Sequence, residues 1–145
     1  FGHVTSEGFL HAMPEYDSAK QELAVLQLHY ELEIERMQVE INKMIEEFNQ
    51  GESNMIDLIK EAKASEIQEL QMRLQNYSQT AQQDLQQQQV MVFQPVMEEV
   101  RAAISEVAKE NGLLYVFDMS QGNPVYASEE SLDLVPLVKA KLGIQ

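Results

Sequence analysis

The sequence predicts an α+β chain that is mostly α: a long antiparallel coiled-coil hairpin projecting from a small β-containing body. Three observations carry this reading. Apolar residues recur at steps of three and four over two long stretches, one short polar break bearing Gly51 separates those stretches, and most of the aromatic residues lie near the two chain ends.

The first stretch runs from Asp17 to about Gln50 without proline or glycine. Its seam is Tyr16, Ala19, Leu23, Leu26, Tyr30, Ile34, Met37, Ile41, Met44 and Phe48, a heptad pattern with one added step at Ile34. At 1.5 Å per residue this is a helix of about 50 Å. The segment NQGESNMIDL interrupts it, with Ser53 expected to cap the next helix and Asp57 in its first turn. The second seam runs Ile56, Ile59, Ile67, Leu70, Leu74, Tyr77, Ala81 and Leu85, then Phe93, Val96, Val100, Ile104 and Val107. Helix, tight polar turn and helix make an antiparallel hairpin.

Within the second arm, QQDLQQQQVMVFQPVM is low in complexity, yet Leu85 and Phe93 continue the seam on either side, so its glutamines read as helix rather than linker. Pro95 removes one backbone hydrogen bond and is expected to act as a hinge where the helix passes into the body.

Asn111 and Gly112 predict a helix stop, followed by a strand over Leu114 to Met119, a turn at SQGN and a short strand at Val125 to Ala127 headed by Pro124. Asp133 is expected to cap a last helix, VPLVKAKL, with Pro136 in its first turn and Gly143 past its end. Phe1 to Thr5 reads as another strand, and a short segment spans Phe9 to Met13. The predicted domains are therefore a body at 1–16 and 96–145 and an arm at 17–95 with its tip near 51–54. Such a body is near the lower size limit for an independent core, and LLYVF is apolar on both faces. Its strands are expected to join those of other copies through Val4, Leu114, Tyr115, Val116, Phe117, Val125 and Tyr126.

Net charge is −14 with 24 acidic and 10 basic residues, which disfavours unaided binding to nucleic acid or an anionic membrane surface. Without cysteine, disulfides, thiolate metal sites and a cysteine nucleophile are excluded. His3, His11 and His29 stand at no metal-ligand spacing, the glycines are scattered singly, and no nucleophile elbow occurs. Neither enzymatic activity nor a metal nor any other cofactor is expected. No segment reads as a transmembrane helix or a signal peptide.

Binding has better support. Val25, Leu28, Leu32 and Val39 form a second stripe, roughly 200° around the first helix from its seam, and Leu58 and Met72 lie similarly off the second seam. The stripe either packs against further helices or binds a partner, and methionines add adaptable shape. Near the tip Glu46, Glu47, Glu52, Asp57, Glu61, Glu66 and Glu69 outnumber Lys60 and Lys63.

HAMPEYDSAKQELAVLQ, RLQNYSQTAQQDLQQQQ, PVMEEVRAAISEVAKENGLLYVFDMSQGNPVYAS and DLVPLVKAKLG resemble the Skp (OmpH) family of periplasmic chaperones over essentially the whole chain. The resemblance implies a homotrimer in which three bodies share a β core and three hairpins, or tentacles, surround a cavity that holds unfolded outer-membrane β-barrel proteins without ATP. It also implies a periplasmic location, with a leader removed ahead of Phe1. The best-known members are basic, so lipopolysaccharide contact is not expected of this acidic chain. A structural coiled-coil spacer or adaptor docking a defined partner is the rival reading.

Overall fold

A computed structural model describes residues 1–122 and 124–144. In chain order the elements are β1 (Gly2–Val4), α1 (Glu7–Ala12), α2 (Pro14–Gly51), a 3-10 turn (Glu52–Asn54), α3 (Asp57–Glu110), β2 (Val116–Asp118), a second 3-10 turn (Met119–Gln121), β3 (Leu132–Asp133) and α4 (Val135–Leu142). The fold is mostly helical with one small parallel sheet. The chain divides into two compact units, Phe1–Glu22 with Gln89–Gln145, and Leu23–Gln88.

In the first unit β1 is the central strand, parallel to β2 on one side and to β3 on the other. Gly2 pairs with Val116 and Leu132, and Val4 with Asp118. The pleat turns Val4 into a core with Phe9 and Met13, Val96 to Val107 on the last third of α3, Leu134 and Val138. Gly2 is required by close approach, since a Cβ there would lie 2.7 Å from Leu113 Cδ1 and 3.3 Å from the Leu132 carbonyl oxygen. Gly112 ends α3 at φ 65°, and the Leu113 N–H returns to the Ala108 carbonyl at 2.9 Å. Lys141 on α4 binds Glu106 and Glu110 on α3 at 2.9 and 2.8 Å, contacts that hold its ammonium above the usual lysine range.

The strand expected at Val125 to Ala127 does not form. Val125 is 95% and Tyr126 78% exposed, so neither has a core to pair over, and Pro124 ahead of them has no N–H to give a ladder. The third strand is Leu132–Asp133 instead. A turn in which the Ser131 N–H donates to the Ser128 carbonyl precedes it, and the Leu132 and Leu134 N–H groups donate to the carbonyls of Phe1, just ahead of β1, and of His3 within it. Asn123 of the expected SQGN turn lies outside the described residues. Asp133 does accept the Val135 N–H at 3.0 Å, at the start of α4.

Helix α1 draws its cap from far along the chain. Asp118 accepts the Ser6 N–H at 3.2 Å and the Ser6 hydroxyl, and Ser120 Oγ accepts the Glu7 N–H at 3.2 Å.

In the second unit α2 and α3 pack antiparallel: Tyr30 meets Tyr77 and Asp84, while Met44 and Phe48 face Lys63 and Ile67. Seam residues Met37, Ile41 and Ala81 are buried, and Leu23, Leu26, Ile34, Leu70 and Leu74 are half-buried. Two expectations fail near the turn. Ser53 sits within the 3-10 turn and caps nothing, because α3 begins only at Asp57. Ile56 precedes that helix, and Ile59 stands one place before Lys60, where heptad spacing back from Ile67 puts the seam; both isoleucines are exposed. Lys60 lies closer to the seam direction and pairs with Glu52 at 3.5 Å across the turn.

Candidate functional site

An α-helix that buries one face in a hairpin needs no apolar residue on the other. Helix α2 has such residues: Val25, Leu28, Leu32 and Val39 are each between 52% and 61% exposed, while the seam at Met37 and Ile41 is closed. Heptad spacing places the four on one line. On α3, Leu58 and Met72 are likewise exposed, fourteen residues or about 40° apart around the helix. The expected residues are thus surface apolar groups of the second unit.

The charges around them are mostly carboxylates. Arg36 is held by Glu33 at 2.7 Å and Glu40 at 3.5 Å, and its hydrogen bond pulls the Glu33 carboxyl below its ordinary range. Glu35 stands in the stripe itself, between Leu32 and Val39, and Glu69 stands three residues before Met72. In the first unit an open groove of about 380 Å³ repeats the combination, with Glu15 and Glu22 beside Ala19, Val92, Pro95 and Val96.

The expected assembly residues fall into two groups. Leu114, Tyr115, Phe117, Val125 and Tyr126 are exposed and Val116 is half-buried. The Phe1, Tyr115 and Phe117 rings lie together with centroids 6.0 to 6.4 Å apart. Val4 does not belong with them: at 2% exposure its side chain is spent in the core of its own chain. Its place on β1 suggested an interface, but sequence alone cannot say which face of a strand the core takes.

Pro95 lies within α3, which is helical on both sides of it, and within the first compact unit. Tyr16 and Phe93, with ring centroids 5.3 Å apart, join the helices just ahead of it. Exposed Phe1, Val90, Met97, Leu132 and Leu137 were not among the expected binding or assembly residues. Val90 and Met97 could have been recognised by their spacing of seven, since neither falls on the seam.

A family model for outer membrane protein (OmpH-like) matches residues 1–142. Among solved structures, a crystal structure from Caulobacter crescentus CB15, described as a proposed outer membrane chaperone (OmpH-like), matches with a TM-score of 0.82 and 13% identity. The match covers 97% of this chain and 82% of that one, and at such identity the likeness is one of fold. No curated protein matches the chain.

Proposed function

The chain belongs to the OmpH-like outer membrane protein family, and from that premise we propose that it is an ATP-independent holding chaperone for unfolded outer-membrane proteins in the periplasm. The observation that carries the proposal is the exposed stripe Val25, Leu28, Leu32 and Val39 on a helix whose hairpin seam is already closed.

Magnitudes then favour an assembly. A half-exposed Val or Leu recovers on the order of 1 kcal/mol when an apolar client segment covers it. Four of them give roughly 4 kcal/mol, which is only millimolar affinity. Several arms around one cavity make successive contacts intramolecular, and retention rises by orders of magnitude without any single strong contact. A homotrimer joined through the exposed aromatic patch of the bodies supplies such arms. Release needs no nucleotide, because a client that folds elsewhere leaves the unfolded pool.

Dilution of a urea-unfolded β-barrel protein into buffer tests the proposal by light scattering. The chain is expected to suppress aggregation, and Leu28→Gln, Leu32→Gln and Val39→Gln together to abolish suppression while helix content is retained. Unchanged scattering with the parent chain would instead fit a spacer that docks a defined partner.

A further inference from the structure

We propose that the exposed stripe selects unfolded segments in which lysine or arginine recurs among apolar residues; this rests on the holding function above and names the client chemistry it favours. Within residues 23–88 there are 12 acidic and 5 basic side chains, a net −7. Position matters more than the sum. Val25, Leu28, Leu32, Glu35 and Val39 follow steps of three, four, three and four, so a carboxylate occupies one place in the apolar line itself. On α3, Glu69 lies three residues before exposed Met72, and such neighbours have Cβ atoms about 5–6 Å apart.

Glu35 and Glu69 are exposed, and among the described residues neither has an ion-pair partner. Arg36 is engaged by Glu33 and Glu40, and Lys60 by Glu52. Lys63 and Arg73, the latter four residues past Glu69, are in no ion pair among the described residues, so Glu35 carries more of the selection than Glu69. Lys43, four residues past Val39, stands among Glu40, Glu46 and Glu47 along the helix. A lysine or arginine of a client can lay its aliphatic stem over Leu32 or Val39 while its head reaches Glu35. A client carboxylate in that place meets another carboxylate, at a cost of about 1 kcal/mol for each close approach in water.

The test uses the full chain and three fluorescent unfolded peptides that share one apolar pattern and carry lysine, glutamine or glutamate at the intervening positions. Anisotropy titrations are expected to rank lysine tightest and glutamate weakest, with about a tenfold gap between those two at low salt. That gap shrinks to about twofold near 0.5 M salt, where screening is strong. It also shrinks in a variant carrying Glu35→Gln and Glu69→Gln, whose exposed sites leave the helices intact by circular dichroism. Equal binding of all three peptides, or tighter binding of the glutamate peptide, overturns the selection and leaves the holding function standing. Binding of none overturns the holding function, and this inference with it.

Discussion

The Tyr30 hydroxyl donates a hydrogen bond to the Asp84 carboxylate across the hairpin, and the Tyr77 ring stands edge-on to Tyr30 at 6.0 Å. Asp84 is the single charge in QQDLQQQQVMVFQPVM and is half-buried. A slip of one helix along the other would leave that carboxylate without its donor, so the pair specifies register as a polar residue in a helical seam does.

Tyr30→Phe should therefore lower the thermal midpoint at neutral pH. The hydrogen bond to Asp84, then burial and the charge of Asp84, raise the ionisation of Tyr30 above the ordinary tyrosine value. A raised folded value means that the contribution is full below about pH 10, the ordinary tyrosine value, and is lost as pH rises through the folded one. Circular-dichroism melts at neutral and strongly alkaline pH check this: the difference between parent and variant should close at the alkaline end. A constant difference would assign the loss to packing alone.

Asp118 behaves in the opposite direction. Burial pushes its carboxyl up, but hydrogen bonds from Ser6 and Ser120 outweigh burial and hold it below the ordinary range. Its contribution is present above the ordinary aspartate value and lost as pH falls through the folded one. Asp118→Ala should cost at most about 1 kcal/mol at neutral pH, because the site is solvent-screened. Urea midpoints at neutral pH and below about pH 4 should show the parent losing on acidification what the variant has already lost.

Gly2→Ala should destabilise the first unit by about 1–3 kcal/mol, since the new methyl meets the Leu113 side chain and the Leu132 backbone at once. Urea denaturation measures the loss. Gly8→Ala is the control, with nothing within 4 Å of the added Cβ.

Leu114→Gln with Tyr126→Ser tests the proposed assembly surface. These side chains are 86% and 78% exposed, so they contribute little within one chain. Sedimentation should show dissociation of the proposed trimer raised at least about tenfold, with the helical signal unchanged. An assembly as tight as the parent's would place the interface elsewhere.

Pro95→Ala restores an N–H to a helix that already runs through this position, and should stabilise the chain by about 1 kcal/mol or more. A hinge role predicts that this gain accompanies weaker client holding in the scattering assay. A stabilised variant that holds clients equally well removes that role.

The seam of α2, the stop at Gly112 and the off-seam stripe were legible in the residues alone. Helical hydrogen bonds join each residue to one four places away, so the period of burial is written locally, and Val25, Leu28, Leu32 and Val39 stand out by breaking it. Ile56 misled because a pattern of apolar residues does not say where a helix begins. Only the tertiary structure decided which segment became the third strand, which face of β1 took the core and what caps α1. Leu132 pairs beside Gly2, and Asp118 reaches Ser6, across more than a hundred residues. Backbone pairing of that kind depends on which segments packing brings together. Val125 and Tyr126, with strong strand character but no core beneath them, show that propensity yields to position.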